Sequence, residues 1–218
     1  MSAMNPEQAT QLLAAWLNAS PLNDLPLLDV GGDGVTPTLH GGNHPRLRCS
    51  EELVTAVGHI AEAIIADWNG NRTIEGVAYL VYRRQADGSP EPLYVGIANS
   101  ANKRGDNHSV LWGSRGARFC DNYKSNGHVD CLSRSLLEGY VGYAPWVSAL
   151  FGPGANAHGP DMPTLLRPTF VHLEVWNAEA RRILPGAPDA PLYVEEMLRL
   201  WVLKSAGLGA QLLNRDGN

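Results

Sequence analysis

At 218 residues, with 44% hydrophobic and 18% charged side chains, the chain can bury a core of its own and is neither disordered nor fibrous in composition. A formal net charge of −5 argues against a protein that coats nucleic acid indiscriminately. Cys49, Cys120 and Cys131 form no CxxC pair, which argues against a disulfide framework and for a reducing, cytoplasmic setting.

In chain order, residues 6–18 place Leu12, Leu13, Trp16 and Leu17 on one helical face. No basic segment precedes them, so they are expected to form a helix and not a secretory leader. No run approaches the ~20 apolar residues of a membrane helix, and no membrane partner is expected. From Ser20 to about Arg48 the chain is dense in Gly, Pro, Asn and Asp and reads as loop. Ser50 suits a helix N-cap, with Glu51 and Glu52 in the first turn. Val54, Val57, Ile60, Ala61, Ile64, Ile65 and Trp68 then keep helical spacing until Asn69-Gly70-Asn71 ends the helix. His59 on it reads as a packed or surface histidine.

Two strands are predicted at Ile74–Arg83 and Pro92–Ile97, joined across the turn signal Asp87-Gly88. A helix begins near Ser100, another spans about Cys131–Tyr140, and Phe151–Pro163 reads as loop. Thr169–Trp176 is expected to be a strand whose His172 and Glu174 alternate with Val171, Leu173 and Val175, on a solvent-facing side. A final helix from about Leu192 to Ala206 carries Val194, Met197, Leu198, Trp201 and Val202 on one face. No Gly-x-Ser-x-Gly elbow occurs. Cys120, His128, Cys131 and His108 match no paired zinc-knuckle spacing.

The succession strand, strand, helix, strand, helix over residues 74–206 carries a recognisable set of polar residues. Tyr79 ends a Val77-Ala78-Tyr79 triplet on the first strand, and Tyr94 opens Tyr94-Val95-Gly96 on the second. Arg104 follows ten residues after Tyr94, and His108 four later, so both lie on one helix face and can reach one phosphate. Glu195 on the last helix and Asn214 near the end complete the set, with Glu196 a rival to Glu195. In this order the chain resembles the GIY-YIG family of metal-dependent phosphodiesterases, over roughly residues 74–110 and 169–214. The second triplet is close to the family's Tyr-Ile-Gly, whereas the first keeps only the tyrosine.

The resemblance implies an α/β fold with a small, mainly antiparallel three-stranded sheet flanked by helices. It implies a nuclease-like domain over 71–218 with an insertion at about 111–168, and an N-terminal helical segment, 1–70, packed on or extending it. It further implies a DNA endonuclease, possibly of restriction type, in which Tyr79, Tyr94, Arg104, His108, Glu195 and Asn214 are catalytic. Glu195 would be the metal ligand, holding Mg²⁺ or another divalent ion through oxygen. Arg104 would neutralise the phosphate with a planar fork of donors. One tyrosine, given nearby positive charge to lower a pKa near ~10, would serve as general base. Between residues 100 and 135, Lys103, Arg104, Arg115, Arg118, Lys124 and Arg134 outnumber Asp106, Asp121 and Asp130. Lys103, Arg115, Arg118 and Lys124 are therefore candidates for phosphate contacts, and Asn122 and Asn126 for base edges. An antibacterial DNase toxin and a non-catalytic nucleic-acid-binding module on the same fold are the alternatives.

Overall fold

A computed structural model describes residues 21–70, 73–99, 128–157, 161–177 and 213. The helices predicted at 6–18, near Ser100 and at 192–206 lie outside these residues, as does much of the insertion.

Three two-residue strands come first: β1 (Leu25–Pro26), β2 (Leu39–His40) and β3 (Arg46–Leu47), the last two paired as a small antiparallel ribbon. The turn-rich reading of residues 20–48 missed them, because a two-residue pairing has no period to detect. Helix α1 (Glu51–Asn69) begins where expected. The Ser50 hydroxyl oxygen accepts a hydrogen bond from the Leu53 N–H at 3.1 Å and donates to the Pro26 carbonyl. One serine thus starts the helix and ties its N-terminus to β1. The buried face of α1 is Leu53, Val57, Ala61 and Ile64, whereas Val54 and Ile65 are 41% and 49% exposed. The apolar stripe is therefore rotated from the predicted one, which had counted both flanks as inward.

Strand β4 (Ile74–Arg84) follows, attached to the end of α1 through Asp67, whose carboxylate accepts from the Ile74 N–H at 2.8 Å and the Thr73 hydroxyl at 2.7 Å. The Asp87-Gly88 turn, with Gly88 at φ +82°, returns the chain into β5 (Pro90–Asn99). Helix α2 (His128–Leu137), a 3₁₀ turn (Val141–Tyr143) and helix α3 (Ala144–Phe151) precede β6 (Thr169–Asn177). Helix α3 was not predicted: Pro145 opens it, and Trp146, Val147, Leu150 and Phe151 are all buried, so no polar face marks the period.

The sheet runs β1-β6-β4-β5, with every pairing antiparallel. This is a mixed α/β fold with the expected antiparallel character, extended to a fourth strand by β1. Val77, Tyr79 and Val81 point to one face, together with Val171 and Leu173, and join α1, α2 and α3 in the main apolar core. Leu132 and Leu136 of α2 are buried in that core, and the Ser133 hydroxyl accepts from the Leu47 N–H at 2.8 Å, fastening the helix to β3.

The opposite face is also buried, which corrects the expectation for His172 and Glu174. Leu80, Tyr82 and His172 are 0%, 0% and 2% exposed. Among the described residues this face carries a polar network. His172 accepts from the Asn23 N–H through Nδ1 at 3.3 Å, leaving its proton on Nε2, which lies 3.4 Å from a Glu174 oxygen. The Asn23 side chain accepts from the Leu173 N–H at 2.9 Å. Asp24, at φ +48°, accepts from the Tyr82 hydroxyl and takes a two-pronged bond from Arg84, Nε to Oδ1 at 3.0 Å and Nη2 to Oδ2 at 2.9 Å.

Burial alone would raise the Asp24 carboxyl, but the bonds from Tyr82 and Arg84 and the guanidinium charge outweigh it, and the net shift is downward. A carboxyl lowered on folding adds stability above its unfolded value, near ~3.9, and loses it as pH falls through the lower folded value. Asp24→Asn is expected to cost on the order of 1 kcal/mol or less, since the pair is partly exposed. Chemical denaturation across pH should show the gap between the two proteins closing below about pH 4. A gap that stays constant into acid would remove Asp24 from the pH dependence.

Candidate active site

Of the expected site residues, the structure describes Tyr79 and Tyr94; Lys103, Arg104, His108, Arg115, Arg118, Lys124, Glu195 and Asn214 lie outside the described residues. The two tyrosines meet. In the β4–β5 ladder Tyr79 is opposite Gly96 and Val81 opposite Tyr94, so both tyrosines project from the same face two positions apart. Their rings stack, with centroids 5.9 Å apart and planes 25° from parallel. The two phenols are coupled in titration, with Tyr79 as the donor that favours the charged form of Tyr94.

The glycine of Tyr94-Val95-Gly96 has a packing explanation. The Tyr79 ring lies flat across the Gly96 backbone, and a Cβ built there would meet the ring, with Cε2 at 2.6 Å and Cζ and the hydroxyl oxygen closer still. The ladder shifts register only beyond the Val81–Tyr94 pair, between Val81 and Tyr82, so the pairing that sets Tyr94 on the face of Tyr79 is unbroken. The triplet therefore encodes a place for one aromatic ring and the partner for its hydroxyl.

Around the pair, Tyr94 packs on Trp146 of α3 at 5.1 Å between centroids, and Trp146 packs on Tyr143 at 6.4 Å. Tyr79 is 3% exposed and Tyr94 half-buried, so Tyr94 is the member nearer to solvent. Burial raises the Tyr79 phenol well above its ordinary value, and the neighbouring phenols Tyr94 and Tyr143 add to that rise. Burial also raises Tyr94, while the hydrogen bond from Tyr79 pulls it partly back. Both are therefore neutral near pH 7, and Tyr94 is the easier of the two to ionise.

Among the described residues no group of three or more His, Cys, Asp and Glu is arranged to hold a metal ion. Among the same residues no helix is long and apolar enough to cross a membrane. His172 with Glu174, Tyr82, Asp24 and Arg84 forms a second polar grouping, on the far face of the same sheet, of which the sequence reading had placed His172 and Glu174 on a solvent-facing side. The only signal for it was the pairing of polar residues with a strand short of turn residues, which does not distinguish a wet face from a buried polar one. No protein-family model matches the chain, and neither a curated protein nor a solved structure is significantly similar to it.

Gly96→Ala should displace the Tyr79 ring at a cost of about 1–3 kcal/mol, as overpacking of a filled core does. Pairing it with Tyr79→Ala, which removes the obstructing ring, should recover part of that cost relative to Tyr79→Ala alone. A double-mutant cycle by urea denaturation gives the coupling, and a coupling near zero would detach the glycine from the ring.

Proposed function

We propose that the chain is a divalent-metal-dependent DNA endonuclease that hydrolyses phosphodiester bonds. The observation that carries this reading is the stacked Tyr79–Tyr94 pair, set on one face of adjacent strands within a strand-strand-helix-strand succession. Such a pair can hold a proton at a defined oxygen next to a reacting phosphate, which general base catalysis of water attack requires. Tyr94 is the phenol that meets substrate, because it is the more accessible and the more easily ionised. Tyr79 is its positioning residue: buried, packed over Gly96 and donating to Tyr94.

Burial leaves Tyr94 above its ordinary pKa, so its use as a base calls for positive charge close by. Arg104 and His108 are the residues of this chain suited to supply it, and Arg104 also to neutralise the phosphate. Glu195 would hold Mg²⁺, which when bound polarises the phosphoryl oxygen and stabilises developing charge. Asn214 is an orienting hydrogen-bonder in this reading. Arg115, Arg118, Lys103 and Lys124 steady the DNA through its phosphates.

Cleavage of supercoiled plasmid with and without Mg²⁺, run beside a DNA-binding assay, tests the proposal. Cleavage that needs the metal is expected; binding without cleavage would turn the reading to a nucleic-acid-binding module, and neither would end it. Tyr94→Phe should lower single-turnover cleavage on the order of a hundredfold or more, the usual scale for a general base. Tyr79→Phe should cost less in rate. The reverse order would exchange the two roles. Glu195→Ala should abolish cleavage and leave binding measurable, and full activity in that variant would move the metal ligand to another residue, Glu196 first. Replacing Arg115 and Arg118 by Ala should weaken binding and flatten its salt dependence, because fewer counterions are released; an unchanged slope would take both off the DNA surface.

A further inference from the structure

The segment that leaves α2 is built to hold one side chain still. Gly139 takes the left-handed backbone, φ +71°, that ends the helix, and the Tyr140 and Glu138 N–H groups both return to the Arg134 carbonyl, at 3.2 and 2.9 Å. Arg134 then covers the Tyr140 ring at 4.8 Å, and that ring lies over Gly142, where a Cβ would have no room. The Tyr143 N–H is held by the Ser135 hydroxyl at 3.1 Å, with Ser135 itself 6% exposed on α2. Two helices and a pinned turn therefore fix the backbone of Tyr143.

Its side chain continues the aromatic row Tyr143, Trp146, Tyr94, Tyr79, with successive centroids 6.4, 5.1 and 5.9 Å apart. Tyr143 is half-buried, like Tyr94 and unlike Tyr79. We infer that Tyr143 supplies a third phenol to the tyrosine site, its neutral hydroxyl donating to the phosphate beside which Tyr94 serves as base, with Tyr79 behind them. The assignment rests on the tyrosine pair being a phosphodiester site. It gives the segment around 128–151 a place in the site itself. The nearness of the phenols fits this arrangement: Tyr143 is among the groups that hold the Tyr79 hydroxyl protonated. A neutral phenol is a donor, and such a donor on the oxyanion stabilises charge without carrying a charge of its own.

The test uses the full chain labelled with ¹³Cζ-tyrosine, with signals assigned by single Tyr→Phe variants and inorganic phosphate as the probe. The Tyr94 and Tyr143 resonances are expected to move along one binding curve. Tyr143→Phe keeps the ring on Trp146 and removes only the hydroxyl, so its melting temperature should stay within about 2 °C. In that variant the phosphate dissociation constant read at Tyr94 should rise about tenfold, and plasmid cleavage with Mg²⁺ should fall ten- to a hundredfold, on the order expected for losing one oxyanion donor. A Tyr143 resonance that ignores phosphate, or an unchanged constant at Tyr94 in Tyr143→Phe, overturns the inference, as does an absence of phosphate binding. If phosphate moves both resonances but the wild-type chain cuts no DNA, the nuclease reading falls and the shared oxyanion site stands.

Discussion

Strand β4 is closed in on every side, and the rest of the fold is arranged around that enclosure. It is hydrogen-bonded to β5 along one edge and β6 along the other, and each residue from Val77 to Arg83 for which exposure decides the packing is at most 6% exposed. A strand covered on both faces has little freedom of register, because a slip of one residue would exchange every side chain between faces. Here the slip would carry Tyr79 into the polar network and Tyr82 into the apolar core. Arg83 marks the cost of such enclosure. Its buried guanidinium donates to the Ala149 carbonyl in the last turn of α3, where a cation meets the negative end of the helix, while its Nε finds no partner. The strand tolerates this at its end, where Glu91 and Arg167 pair beside it.

The two faces of the sheet carry two chemistries. One packs phenols among hydrocarbon and indole, so that hydroxyls find one another in a dry setting and stay protonated. The other assembles carboxylates, a histidine, a guanidinium and a phenol into a network that joins Asn23 and Asp24 to β4 and β6. The first suits a site where proton position matters, the second a clamp. This division is why the functional reading follows Tyr79 and Tyr94 and not the more numerous titratable groups behind them.

Much of this was legible in the sequence, and the failures have physical causes. Ser50 and Gly70 bounded α1 correctly, because caps are local chemistry. Asp87-Gly88 located the β4–β5 turn, and the resemblance drew Tyr79 and Tyr94 into one set, which the ladder places on one face. The alternation in β6 was read correctly as two faces but wrongly as wet and dry, since period reports sidedness and cannot report cover. Helix α3 has eight residues, four of them buried, and lacked a polar side to reveal its turn. Tyr143 gave no signal in the sequence, because its link to Tyr94 runs through Trp146, which reaches Tyr94 by tertiary packing across about fifty residues. Gly96 looked like a motif letter; its reason appears only once the register sets it under a ring.

The borders of the sheet bear on how the molecule behaves in crowded solution. An open strand edge is a template for another chain, and both borders here are blunted. On one side β1 is only two residues long, and one of them is Pro26, which has no N–H to offer an incoming strand. Beyond it the Asn23 side chain occupies the Leu173 N–H as a strand would, without extending a ladder outward. On the other side β5 opens with Pro90 and Pro92, and the Leu213 N–H already takes the Leu93 carbonyl at 2.7 Å. Among the described residues, those that finish the fold also blunt the borders of its sheet against an incoming strand.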